Sequence, residues 1–237
     1  MMVMTNRINK KERKKHIMNA ALGIFSEKGF QNATISEISK AAGVSDATVY
    51  EYFGTKEKLL FSIPEQISDE NTEDLQRVLP YIKGVEGKLR AFLIMFMRLY
   101  ETNPHYSNLV LLQLMSSREF RNTAAHAAIR KSAHMLLDCI KQGIDEGTFR
   151  KDADPYLIRS MLMGTVEHLF IHWHMQGMPK RENPIQDYLD PFLEIVLDGI
   201  RAKTRTNTIT LNVKMEDGEV VKSIFIEPSP LIKEAAE

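Results

Sequence analysis

The stretch GVSDATVYEYFGTKEKLL, Gly43–Leu60, decides the reading of the chain. Ser45 is a helix N-cap residue, and the short run Asp46–Phe53 that follows it is closed by Gly54-Thr55. Lys56 then opens a longer helix. Just upstream, Thr34-Ile-Ser-Glu37 is a Thr-x-x-Glu capping box that starts a short helix ending at Ala42, and Gly43 breaks it. Two short helices joined by a tight turn containing glycine predict a helix-turn-helix. Ahead of them, Ile17, Ala20, Ala21, Ile24 and Phe25 recur at the three-to-four spacing of an amphipathic helix over residues 9–28, with Gly29 as its stop. Val49 and Phe53, four apart, are expected to face inward with Ile38 and Phe25.

The outward residues of the third helix suit double-stranded DNA. A recognition helix presents short side chains to base edges and flanks them with donors for phosphate oxygens. Ser45, Ala47 and Thr48 form the leading turn, where Ala and Thr can meet a thymine methyl. Tyr50 and Tyr52 carry hydroxyls for the backbone. Thr34 and Lys56 each begin a helix, a natural phosphate position. Asp46 would repel phosphate unless it met a cytosine amino group. Charge is distributed accordingly. The whole chain of 237 residues is neutral, but residues 1–58 hold ten Lys/Arg against six Asp/Glu, which leaves the remainder with an excess of four acids. The basic run Arg7–Lys15 adds salt-sensitive affinity for a polyanion. Core or surface packing is the competing reading of the tyrosines, and a helix-turn-helix adaptor that binds protein is the competing reading of the motif.

The run AALGIFSEKGFQNATISEISKAAGVSDATVYEYFGTKEKLL, residues 20–60, resembles the DNA-binding domain of the TetR family of bacterial repressors. The likeness rests on Gly29-Phe30 after helix one, Thr34 opening helix two and the Ala42-Gly43-Val44-Ser45 turn. It closes on Tyr50-x-Tyr52-Phe53-x-x-Lys56-x-x-Leu59. What the resemblance implies is an all-α homodimer with helix-turn-helix heads, whose larger C-terminal domain binds a small molecule and thereby releases operator DNA. It also implies dimerisation through the last two helices and DNA contact at Thr34, Ser45, Ala47, Thr48, Tyr50, Tyr52 and Lys56. We expect a DNA-binding domain at residues 1–58, a ligand-binding and dimerisation domain at 59–205, and an extension at 206–237.

Beyond residue 60 the pattern is helical, with helices expected near 56–79, 86–102, 105–116, 122–146, 155–176 and 185–204. Leu193, Val196, Leu197 and Ile200 make an apolar stripe expected to meet the partner subunit. Residues 108–178 resemble the branch of the family that senses acyl-CoA, through Gln113, MetGlyThrValGluHis at 163–168, and Trp173. Thirteen methionines suit an adaptable apolar pocket as well as an ordinary core. The effector is therefore expected to be hydrophobic or amphipathic and to lie among Phe92, Phe96, Met115, Met161, Thr165, His168 and Trp173, with Arg118 and Arg121 available for the phosphates of an acyl-CoA. A multidrug or aromatic-compound sensor of the same family is the alternative. In the extension, Asp217-Gly218 between two alternating segments predicts a β-hairpin over residues 208–226.

Other functions find little support. Cys139 is the single cysteine, which excludes an intrachain disulfide and fits a reducing cytoplasm. The apolar run 156–175 is interrupted by Arg159, Glu167, His168, His172 and His174, so no membrane span is expected. His168 and His172 are four apart, and His126 and His134 eight apart, but no glutamate or cysteine completes a metal site. The histidine pairs stay open between polar contacts and ordinary hydrogen bonding. No nucleophile–base pair and no phosphate-binding glycine loop occurs, so neither an enzyme nor a cofactor is expected.

Overall fold

The computed structural model describes residues 9–179 and 188–202. Among them the chain runs α1 (Lys10–Asn32), α2 (Ile35–Ala41), α3 (Asp46–Phe53), α4 (Lys56–Val78) and α5 (Val85–Thr102). It continues through α6 (Pro104–Asn108), α7 (Ala124–Asp145), α8 (Pro155–Met175) and α9 (Leu189–Ile200). No strand pairs with a second strand among the described residues beyond one isolated bridge, Phe149 to Arg201. The expected hairpin at 208–226 lies outside the described residues.

The local signals act as the sequence suggests. Asn9 with Glu12 and Thr34 with Glu37 form complete capping boxes, and Ser45 and Thr55 cap α3 and α4. Gly29 breaks α1 before its end, at φ 74° and ψ 164°, a conformation that a residue with a Cβ rarely adopts. The predicted helix near 105–116 is the exception. It divides into α6 and a π-helical stretch, Leu109–Leu114.

The head folds α1, α2, α3 and the first half of α4 around Ile17, Phe25, Ile38, Val49, Phe53, Leu59 and Ile63, all buried. Its core does not close on its own: Leu109, Leu114, Phe120 and Ala125 belong to it. The body builds a second core on Leu89, Phe92, Phe96, Tyr100, Leu136, Ile140, Leu162, Val166 and Phe170. Val110 and Leu111, the residues between Leu109 and Leu114, belong to this second core. The π-helical stretch therefore serves both cores at once.

Polar contacts reinforce the same joint. Gln113 Nε2 donates to the Phe25 carbonyl at 3.3 Å and to Asn108 Oδ1 at 3.0 Å. Ser26 Oγ and His105 Nδ1 lie 2.6 Å apart. Within the head, the Lys56 ammonium donates to the carbonyls of Phe30 (2.8 Å) and Ala33 (2.9 Å) and sits 4.4 Å from the Phe30 ring centroid. Those carbonyls follow the break at Gly29, where helical partners run out. The lysine thus ties the start of α4 to the end of α1.

The face expected to meet a partner subunit is corrected. Leu193, Val196, Leu197 and Ile200 are buried in the body core of the same chain. The exposed apolar residue of α9 is Ile195, 74% accessible, between Pro191 and Gly199. On α8 the exposed stripe is Leu157 (59%), Met161 (46%), Gly164, His168, His172 and Met175. α9 is apolar on two faces, and the core took the wider one.

Two substitutions test this arrangement. Leu114→Ala should lower unfolding stability by about 2–5 kcal/mol, the range for a buried leucine, read from urea denaturation. Lys56→Met should cost about 1–3 kcal/mol because two carbonyls lose a charged donor. A Lys56→Met protein of unchanged stability, with only a shallower salt dependence of DNA binding, would contradict the structural role.

Candidate nucleic-acid interface and effector groove

Helix α3 presents the expected face. Ser45 and Ala47 are exposed at its start, Thr48 is half-buried behind them, and Tyr50 is 51% accessible one turn on. The Ser45 hydroxyl accepts from the Thr48 backbone N–H at 3.1 Å and lies 2.9 Å from Thr48 Oγ1. Both hydroxyls are therefore held in place before any ligand arrives. Asp46, which the sequence left without a role, accepts a short hydrogen bond from Ser39. Its carboxylate thus joins the start of α3 to α2.

Thr34 is exposed at the start of α2 and is engaged with Glu37, whose backbone N–H it receives at 3.2 Å and whose Oε2 it meets at 2.9 Å. Lys28 sits 2.5 Å from the same carboxylate. Lys28 and then Thr34 hold the Glu37 carboxyl down at about 2, so the cap stays ionised at neutral pH. Tyr52 is half-buried, with the Lys10 ammonium 5.9 Å from its ring centroid, and Lys14 stands likewise 5.8 Å from Phe53. The first turns of α1 are thus brought beside the end of α3, where Lys10, Lys11 and Lys14 flank a shallow groove with Tyr52 and Glu51. Lys56 is the residue whose placement differs from expectation. Two of its ammonium hydrogens are directed to carbonyls within the head, not outward.

The seven residues expected to surround an effector are not gathered at one place. Phe92 and Phe96 are buried in the body core, and Met115 is half-buried between the two cores. Thr165 and Trp173 are half-buried on α8, while Met161 and His168 lie on its exposed stripe. The aromatic members do form part of a continuous cluster. Phe96 and Tyr100 have ring centroids 4.8 Å apart, Tyr100 and Phe170 5.3 Å, and Phe170 and Trp173 5.9 Å.

An open groove of about 530 Å³ runs between α7 and α8. One wall is His126, Arg130 and His134, spaced four apart on α7, with Arg121 from the turn before it. The other wall is Arg159, Met163 and Glu167, likewise four apart on α8, with Ser160 and Gly164. Burial, then Arg130 and Arg121, lowers the His126 pKa, and burial raises that of Glu167. Sequence reasoning named Arg121 but missed Arg130, Arg159 and Glu167. Their signal was the shared four-residue spacing, together with the charges interrupting the apolar run of α8. Two further histidines of α8 have local partners: His172 Nε2 lies 2.9 Å from Gln176 and His174 Nε2 lies 2.7 Å from Ser107 Oγ. No group of three potential metal ligands occurs among the described residues, and no described helix is long and apolar enough to cross a membrane.

Comparison with known proteins agrees with this division into head and body. Residues 17–63 match the bacterial regulatory proteins of the tetR family, and residues 66–203 match the C-terminal region of YsiA-like protein. The fatty acid metabolism regulator protein of Bacillus subtilis is 24% identical over 187 residues, which cover 79% of this chain and 95% of that protein. The transcriptional repressor KstR2 of Mycobacterium tuberculosis is 23% identical over 192 residues, covering 79% and 92%. The structure of Bacillus subtilis FadR in complex with stearoyl-CoA superposes with a TM-score of 0.72 at 24% identity, covering 79% of this chain and 99% of that one. FadR from Bacillus halodurans gives the same TM-score and identity, with 82% and 100% covered. The chain belongs to the TetR family: it is a helix-turn-helix transcription regulator, not an enzyme, with a YsiA-like region behind its DNA-binding head.

Proposed function

We propose that this chain is a homodimeric repressor that occupies operator DNA and is released by a hydrophobic or amphipathic effector, an acyl-CoA being the reading we favour. The observation that carries it is the pairing of an exposed, pre-ordered α3 face with a body that shares its core. Ser45, Ala47 and Thr48 read base edges in the major groove. Tyr50, Tyr52 and Thr34 position the head on phosphates, assisted by Lys10 and Lys14. The Lys56 ammonium acts indirectly, by holding α4 against α1, while the backbone N–H groups opening α4 face the phosphates. Dimerisation places the exposed stripes of α8 and α9 against their symmetry mates, burying Leu157, Met161 and Ile195. Such a regulator acts in the cytoplasm, where operator and effector meet.

The acyl-CoA reading draws on the stearoyl-CoA that Bacillus subtilis FadR binds, and on the long aromatic cluster in the body. Release requires that the effector prefer the DNA-incompetent state. A hundredfold preference supplies about 2.7 kcal/mol of coupling, enough to empty most operators.

Anisotropy of labelled operator DNA tests the reading. Acyl-CoA should dissociate the preformed complex, whereas planar aromatic drugs should not; release by drugs alone would place the protein in an efflux-control class. Lys10→Ala and Lys14→Ala should each reduce the salt slope by about one unit, while Tyr50→Phe should weaken binding several-fold at unchanged slope. Ile195→Glu with Met161→Glu should give monomers by light scattering, and an intact dimer would refute the proposed face.

A further inference from the structure

We infer that Lys28, just before the break in α1 at Gly29, is a phosphate contact of the head. Its ammonium is clamped by the Glu37 carboxylate beside Thr34 and bridges that carboxylate to the DNA backbone. This rests on the operator-binding reading and names the donor at the junction of α1 and α2, which Thr34 does not supply.

The first support is where the hydrogen-bond donors of this junction go. The Thr34 hydroxyl accepts the Glu37 backbone N–H at 3.2 Å and donates to Glu37 Oε2 at 2.9 Å. The Thr34 backbone N–H donates to the same oxygen at 3.0 Å. Both donors of Thr34 are spent within the cap, so a phosphate beside it needs another partner. Lys28 Nζ lies 2.5 Å from Glu37 Oε1, the second carboxylate oxygen. An ammonium carries three donors, and this contact uses one. The other two let Lys28 hold a carboxylate and a phosphate at once. Lys56 differs, because two of its donors go to the carbonyls of Phe30 and Ala33.

The second support is charge. Between Lys15 and Lys40 the sequence holds one Lys or Arg, and it is Lys28. Glu37 stays ionised at neutral pH, held so by Lys28 and then by Thr34, and in turn it raises the pKa of the Lys28 ammonium. An ionised carboxylate one hydrogen bond from Thr34 repels a phosphate placed there. A cation shared between the two anions removes that repulsion. The pair does little for folding, since its side chains are 49% and 38% accessible and exposed ion pairs contribute little to stability. Its consequence is orientation: the Lys28 ammonium is kept at the start of α2, with its remaining donors free for the DNA backbone.

The test uses the full-length protein and a labelled duplex that it selects from a random-sequence pool, with anisotropy read across salt concentrations. Lys28→Gln should weaken binding roughly tenfold and lower the salt slope by about one unit, as for one lost phosphate contact. Lys28→Arg should keep the slope. Glu37→Gln preserves the cap, because glutamine serves a capping box as glutamate does, and it removes one anion, so binding should tighten a few-fold. K28Q/E37Q should still bind roughly tenfold more weakly than E37Q, with the slope again lower by about one unit. Urea denaturation, expected to be nearly unchanged in every variant, separates lost contact from lost fold. If Lys28→Gln costs nothing in the E37Q background, the lysine merely neutralises Glu37 and the inference is overturned; an unchanged slope in Lys28→Gln overturns it too. If the protein selects no duplex at all, the operator-binding reading fails and takes the contact with it, whereas a selected duplex whose binding ignores Lys28 removes the contact alone.

Discussion

The structure depends on how Leu109–Leu114 is wound. In an α-helix a step of five residues turns a side chain by about 140°, so Leu109 and Leu114 would point to different sides. A π-helical stretch, with hydrogen bonds from i to i+5, brings them back toward the same side. Both then enter the head core, while Val110 and Leu111 between them enter the body core. The same winding holds the Gln113 amide on the Phe25 carbonyl, at the point where α1 loses its helical partners before Gly29.

The head is consequently not an independent unit. Its core is completed by Phe120 and Ala125 as well as by the two leucines, and α4 runs through it into the body. Leu22, Ile67, Met115 and Ile129 pack against both cores. A ligand that rearranges the body must therefore act on the surfaces that set the head. Packed cores favour discrete alternatives over gradual bending, the condition for a two-state switch. His105 against Ser26 and His174 against Ser107 place polar contacts on both flanks of α6, so its movement would exchange hydrogen bonds as well as apolar contacts.

Much of the head was legible because its signals are local. Caps at Thr34 and Ser45, breaks at Gly29 and Gly54, and the spacing of Val49 and Phe53 each involve residues within a turn of one another. The contacts of the Lys56 ammonium were not legible because its partners, Phe30 and Ala33, lie more than twenty residues earlier, and a lysine opening a helix looks the same whether it faces phosphate or carbonyl. The stripe on α9 failed for another reason. Periodicity identifies an apolar face but not its occupant, and α9 has Leu193 and Val196 on one side and Ile195 on another. The effector residues scattered because methionine and phenylalanine serve a core as well as a pocket. The groove was missed: His126, Arg130 and His134, like Arg159, Met163 and Glu167, repeat at four-residue spacing, but only the packing of α7 on α8 joins the two rows.

The central claim, that the body governs the head through the π-helical joint, is tested most directly by amide hydrogen exchange with and without palmitoyl-CoA, followed at residues 25–33 and 109–114. The account expects protection in both segments to change together, at the effector concentration that releases operator DNA. Release of DNA with exchange altered only elsewhere in the body, and both segments unchanged, would contradict it.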